Sequence, residues 1–479
     1  MVGALVVFSA ASGSLDHRGL RVLSALPRIG LLFGYDWDAD GFAALHQQAT
    51  FDRAGFDLFS FPSNAHLIHF DLLRFARRQA ARGRKLAWRG VVSHHEQFGA
   101  LAAALVAEEL GLPGAKPEAV LAAQHKLHAR EVLQKVAPEA NIAFAPLAVA
   151  YGDDIPHGLS YPQFVKPVKA AFSVLARDVK NRDELQAHTR FGNRELWVIR
   201  RLVEPFERVM QQRLPQAGTA HRMMLETPLP LNTPQYNLDG WVFNGQAHAL
   251  GVVDAVMYPG TQAFMRWEVP SQLAPTVQQR ALEVAQKFLA AIDYSHGFFN
   301  MEFFHDPATD QLSVIEFNPR LASQFADLYR RVLGVDAHAM SLALALGQDP
   351  ADLPRTAPSA GAAASQVYRS FDASAQIRMP NVEQQAQVMR RFPDALLFVY
   401  PKTGHALERD FKWLGSYRHG IVHLGGRDRA DLRARTEEAS RMLGWTAPYC
   451  DMKPSVRGDE TLHSAKSQTA MNLVSRSVS

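Results

Sequence analysis

The chain has 479 residues, 47% of them hydrophobic and 20% charged, which is enough to bury large cores and excludes a disordered, collagenous or fibrous polypeptide. At about 150 residues per domain there is room for about three domains. Lys and Arg total 51 against 47 Asp and Glu, a formal charge of +4 with no basic cluster, so neither nucleic acid nor, lacking any apolar run near ~20 residues, a membrane is an expected partner.

The first segment with a composition worth reading is Ala4–Ala10 (ALVVFSA), apolar but without the basic residues that precede the core of a secretory signal. With Cys450 as the single cysteine no intrachain disulfide exists, and a cytoplasmic location is expected. Arg28–Tyr35 is the first clear strand. Val91–Ser93 is a brief β-rich run, and Phe98–Leu110 reads as an Ala-rich helix closed by Gly111 with Pro113 beyond it. Strand and helix alternate here, so residues 1–115 are expected to form an α/β domain on a parallel sheet. Residues 116–349 open with a helix over Glu118–Val136 and continue with strands such as Pro162–Lys166, Met223–Thr227 and Leu312–Asn318 in hairpin-like order, the pattern of an α+β domain. Residues 350–365 are rich in Pro, Ala and Ser and read as a linker. Residues 366–450 carry short β-rich runs and a last helix, Ala430–Leu443, and read as a small β-rich C-terminal subdomain. The polar, Ser-rich residues 451–479 read as a disordered tail.

The chemistry concentrates in Gly297–Arg320 (GFFNMEFFHDPATDQLSVIEFNPR). Phe298–Phe304 and Leu312–Asn318 have strand composition, and Asp306–Gln311 has hairpin-loop composition. Residues two apart share a strand face, so Asn300 and Glu302 lie together on one strand, as do Glu316 and Asn318 on the other. Closing the hairpin sets Glu302 nearly opposite Glu316. A lone strand glutamate is usually a solvated side chain, but two carboxylates and an amide converging make a hard-oxygen site suited to Mg²⁺. Arg320, just past the proline that stops the strand, supplies a fixed cation.

Three weaker signals precede it. Lys126 and Arg130 stand four apart on a helix, ordinarily a solvated basic face. Lys166 ends a strand before the small-residue stretch Ala170–Ser173. An apolar strand leads into Glu226-Thr227-Pro228 and is followed by a second strand with Asp239-Gly240 inside it.

In that fixed order, Lys126, Lys166-Pro with Ser173, Glu226, Glu302 and Glu316-x-Asn-Pro-Arg over about Lys116–Leu346 resemble the ATP-grasp superfamily, with VIEFNPRL (Val314–Leu321) closest to its carboxylate–amine ligase branch. The resemblance extends to L-amino-acid ligases and biotin-carboxylase-like proteins. It implies an α/β domain ahead of an α+β domain whose two subdomains clasp ATP, then a small β-rich subdomain. It further implies that Lys126, Lys166 and Ser173 contact ATP, that Glu226 and the backbone at Leu229 receive adenine and ribose, and that Glu302, Glu316 and Asn318 hold Mg²⁺, with Mn²⁺ as an alternative. Arg320 and Lys166 would be the catalytic cations. The implied reaction joins a small-molecule carboxylate to an amine, with amino acids as the expected substrates, through an acyl phosphate. A bicarbonate-using carboxylase and a non-catalytic ATP-binding regulator are the alternatives, and a homodimer is the assembly that such relatives often adopt.

Two positions depart from the pattern. Lys169-Ala170-Ala171-Phe172 stands where relatives often carry glycines, and Gln235 stands where they often carry Glu. Elsewhere, His94-His95-Glu96 invites a zinc reading, but adjacent strand residues point to opposite faces and no HExxH or cysteine partner accompanies them.

Overall fold

Three sheets organise the chain in the computed structural model, which describes residues 25–449 apart from 59–62, 148–152, 171–174, 191, 231 and 375. Cys450, the N-terminal 24 residues, Ser173 and the segment read as a tail therefore lie outside the described residues.

The first sheet has strands β1 (Arg28–Leu32), β2 (Thr50–Ala54) and β3 (Trp88–Val92) in the order β2-β1-β3, all parallel, as the alternation of strand and helix predicts. Ile29 to Leu32 are buried without alternation because helices cover both faces of a parallel sheet. The helix Leu72–Leu86 starts on Asp71, whose carboxylate accepts the Arg74 N–H, and the helix Gly99–Leu110 ends on Gly111 at φ 64°.

The single helix expected over Glu118–Val136 is two helices, Pro117–Gln124 and Lys126–Val136. His125 breaks it at ψ 91°, and its Nδ1 caps the second helix by accepting the His128 N–H at 3.1 Å. The break leaves the Lys126 N–H without an intrahelical acceptor, and it donates instead to the carbonyl of Val168. One sequence position thereby docks the helix on the strand that carries Lys166.

That strand belongs to a four-stranded antiparallel sheet of β4 (Phe144–Leu147), β5 (Gln163–Pro167), β6 (Arg177–Val179) and β7 (Met223–Glu226), ordered β4-β7-β5-β6. The third sheet is antiparallel and has eight strands. These are β8 (Gln235–Phe243), β9 (Gln246–Met257), β10 (Phe264–Val269), β11 (Gly297–Asp306), β12 (Gln311–Asn318), β13 (Ala362–Ser370), β14 (Leu396–Val399) and β15 (Tyr417–Gly426). Their order is β12-β11-β8-β9-β10-β13-β15-β14.

Strand β13 corrects the reading of residues 350–365 as a linker. It begins at Ala362 and pairs with β10 from Arg266↔Gln366 to Val269↔Ala363, so the C-terminal strands extend the central sheet. Its small residues Ala362, Ala363 and Ala364 are fully buried, a composition that a linker shares. The C-terminal section also carries the helices Val382–Arg391, Gly404–Leu414 and Arg429–Leu443, so it is α+β rather than β-rich. A continuous apolar core runs from Leu32 and Phe98 through Leu127 and Phe206 to Phe288 and Phe317, the last two stacked 3.8 Å apart. The N-terminal section is thus welded to the sheets that follow. Among the described residues no helix is long and apolar enough to cross a membrane.

Burial pushes the imidazoles of His95, His125, His188 and His419 down to about 4. Each binds its proton more tightly in the unfolded chain, whose histidines titrate near about 6.5. Stability is therefore full above that value and falls as pH drops towards 4. Urea midpoints measured across this window are expected to fall steadily, and a flat profile would contradict the burial of these rings.

Candidate active site

The hairpin β11–β12 places its acids in the predicted register. Asn300 pairs with Asn318 and Glu302 with Glu316, and the register shifts only after Glu302. Asn318 Nδ2 donates to Asn300 Oδ1 at 3.1 Å and lies 3.4 Å from Glu302 Oε1 and 3.5 Å from Glu316 Oε1, so the carboxylates converge on one point. Gln235, on the adjacent β8, donates to Glu302 Oε2 at 3.1 Å. The amide at this position therefore faces the acids as a donor.

Cations approach the site from three directions, and Lys126 contacts the paired acids directly. Lys126, at the start of its helix, places Nζ 2.6 Å from Glu316 Oε2 and donates to the carbonyl of Ala170 at 3.1 Å. Lys166, on β5, lies 2.8 Å from Glu226 Oε1 and donates to the carbonyl of Ile315, beside Glu316. Arg320, past the end of β12, donates to Glu96 Oε2 at 2.7 Å. Glu96 is buried in the loop after β3 and also receives Gln124 Nε2 at 3.1 Å, with Lys169 Nζ 3.9 Å away.

Behind them lies a buried network that the sequence conceals. Arg130 is not on a solvated face. Its Nε donates to Glu226 Oε1 at 2.7 Å, and its terminal nitrogens donate to the carbonyls of Val314 (2.6 Å) and Ile315 (3.0 Å). One guanidinium thus ties β7 to β12, and Glu226 in turn holds Lys166. Arg130, Glu226 and Lys166 are each at most 4% exposed.

The electrostatics follow from this placement. Burial and the facing Glu316 push Glu302 well above the ordinary carboxylate range. Burial alone would raise Glu316 too, but the charge and hydrogen bond of Lys126 hold it below that range. Two facing acids thus carry one strongly held negative charge and one reluctant one, which a divalent cation would relieve. Burial pushes Lys166 and Lys169 down to about 8.

The structure therefore brings together Lys126, Lys166, Glu226, Glu302, Glu316, Asn318 and Arg320. Leu229 is half-buried beyond the end of β7, and Ser173 lies outside the described residues. Sequence reasoning missed Glu96, Lys169 and Arg130 as members of this cluster. Glu96 carried a usable signal, since it follows a parallel strand at the carboxyl end where ligands of α/β sheets bind.

Comparison with known proteins gives the fold its relatives. No family model and no curated protein matches the sequence. Among solved structures, an L-amino acid ligase from Bacillus licheniformis superposes with a TM-score of 0.60 at 14% identity, covering 87% of this chain and 97% of that one. A carboxyaminoimidazole ribonucleotide synthase from Aspergillus clavatus, complexed with ATP, gives a TM-score of 0.58 at 16% identity over 88% and 98%. The biotin carboxylase domain of a Hydrogenobacter thermophilus 2-oxoglutarate carboxylase, a dimer in complex with MgADP and bicarbonate, gives 0.55 at 14% over 86% and 89%. The fold is shared with these three structures, along 89–98% of each.

Replacing Glu226 with Gln would leave Arg130 and Lys166 buried without their carboxylate. Loss of about 3–5 kcal/mol is expected, read from the denaturant midpoint, because the penalty is that of uncompensated buried charge. A change within the scatter of surface substitutions would show that the network carries no such charge.

Proposed function

We propose that the chain is an ATP-dependent ligase that activates a carboxylate as an acyl phosphate and joins it to an amine, with amino acids as the substrate class. The observation that carries this reading is the convergence of Glu302 and Glu316 with Lys126, Lys166 and Arg320 on a fold shared with ATP-dependent ligases. A paired-carboxylate site ringed by cations suits a substrate that is itself a polyanion plus a metal.

Each residue has a part in that reading. Glu302 and Glu316 offer hard oxygen donors that fit Mg²⁺, or Mn²⁺ in its place, the Asn318 amide would turn its oxygen to the ion, and the ion would supply charge neutralisation at the phosphates of ATP. Lys126 and Lys166 contact those phosphates. Glu226, turned inward onto Arg130 and Lys166, holds the ammonium of Lys166 in position, and the adenine falls to the backbone near Leu229. The mixed anhydride would hydrolyse in water, so the site must exclude water while it exists.

Arg320 receives the acid substrate. A carboxylate oxygen then forms a bond to the γ-phosphorus as the bond from that phosphorus to the bridging oxygen of ADP breaks. The amine nitrogen next bonds the acyl carbon, phosphate leaves with the electron pair of the broken bond, and the nitrogen gives up a proton. No side-chain nucleophile is required, because positioning and charge compensation lower both barriers. We further propose a homodimer working in the cytoplasm. The dimer of the biotin carboxylase domain supports the first, and the proposed use of ATP as co-substrate supports the second.

The test is ADP and phosphate release from Mg-ATP with pooled amino acids or with bicarbonate. Release is expected to require an amino acid and to fall at least about 10²-fold in Glu316→Gln, the scale of losing one preorganised electrostatic contact. Release that instead requires bicarbonate identifies a carboxylase. ATP binding without turnover in any pool, unchanged by Glu316→Gln, would identify a regulatory protein and overturn the metal assignment.

A further inference from the structure

A second cluster of ligating side chains lies outside the paired-carboxylate site. Asp38 opens the helix Asp38–Ala44, His94 follows β3, and His338 lies in the first turn of the helix Ala337–Ala345. All three are buried, at 3%, 3% and 7% exposure. Asp38 Oδ1 lies 3.0 Å from His94 Nδ1 and 3.2 Å from His338 Nε2, and the three ligating atoms all fall within 4.8 Å of one another. Ligand atoms around a tetrahedral Zn²⁺ with bonds of about 2.0–2.2 Å sit about 3.3–3.6 Å apart, so two edges are close to that length.

The hydrogen bonds around the cluster define what belongs between the atoms. Ser341 Oγ donates to the carbonyl of Ala337 at 2.9 Å, so at 2.8 Å it can only accept from His94 Nε2. With its hydrogen on Nε2, a neutral His94 turns the Nδ1 lone pair towards the Asp38 carboxylate. Two acceptors 3.0 Å apart repel unless a cation joins them. The remaining Asp38 oxygen accepts the backbone N–H of Tyr35. An imidazole whose far N–H is held by a fixed acceptor, opposite an anchored carboxylate, is how protein metal sites set tautomer and ring orientation.

We propose that Asp38, His94 and His338 hold a Zn²⁺ ion, with a water completing the tetrahedron. Two imidazoles and one carboxylate suit zinc far better than Mg²⁺, which distinguishes this centre from the all-oxygen hairpin site. The ion pins the loop that carries Glu96, and hence the partner of Arg320, to a helix more than 240 residues later. Adjacent residues do point apart here: the His95 ring packs on Phe33 and Tyr35 while His94 faces Asp38. The partners of His94 come from distant segments, not from its neighbours in sequence.

The full chain, produced in zinc-containing medium without a histidine tag, is expected to carry one equivalent of zinc by elemental analysis, and His338→Gln to carry none. Since His338→Gln could fail to fold, a second measurement uses the wild-type chain. Stripped of metal and given Co²⁺ in excess Mg²⁺, it is expected to show the intense visible bands of tetrahedral Co²⁺, bleached by added Zn²⁺. Wild-type protein without stoichiometric zinc and with only weak octahedral Co²⁺ bands, or a folded His338→Gln that keeps its zinc, would overturn the proposal. A proton would then occupy the position between His94 and Asp38.

Discussion

Two glutamates face each other across a hairpin, and much of this molecule serves to make that arrangement tolerable. Glu302 and Glu316 would repel if both were ionised side by side. Lys126 offsets one charge directly, at 2.6 Å from Glu316. Its ability to do so depends on the helix break at His125, which puts it on the first residue of a helix docked to β5. The remaining charge is one that a divalent cation would offset.

A second layer keeps the first in register. Arg130 spans from Glu226 on β7 to two carbonyls of β12, so the four-stranded and eight-stranded sheets are joined by one guanidinium directly behind the acids. A buried arginine of this kind costs desolvation, and its five donors repay it only when matched, as most are here. Lys166 shares the same carboxylate and thus inherits its orientation from the network. On the opposite side Glu96 holds Arg320, and so the N-terminal parallel sheet completes a site otherwise built from the later strands.

How much of this was legible depended on whether the signal was local. The period of two along Asn300–Glu302 and Glu316–Asn318 sufficed to pair the acids, because strand geometry leaves one register with both on the same face. The parallel N-terminal sheet was equally plain from alternation. Arg130 was misread because i, i+4 spacing describes a helix face without saying what covers it. The helix break was invisible because His125 has no special backbone preference and the Lys126 N–H that the break frees finds a tertiary acceptor, Val168. Ala362–Ala364 looked like linker because small residues fill a tightly packed strand as readily as a flexible segment. Asp38, His94 and His338 meet only through the packing of three separate elements, which no spacing rule encodes.

The central claim is that a substrate carboxylate, held near Arg320, attacks the γ-phosphate of ATP. The most direct measurement follows oxygen-18 from the carboxylate of the accepted acid substrate during a single turnover with the amine and Mg-ATP. One labelled oxygen is expected in the released phosphate, carried there by the acyl phosphate. Label retained wholly in the product and unreacted acid, with none in phosphate, would contradict it.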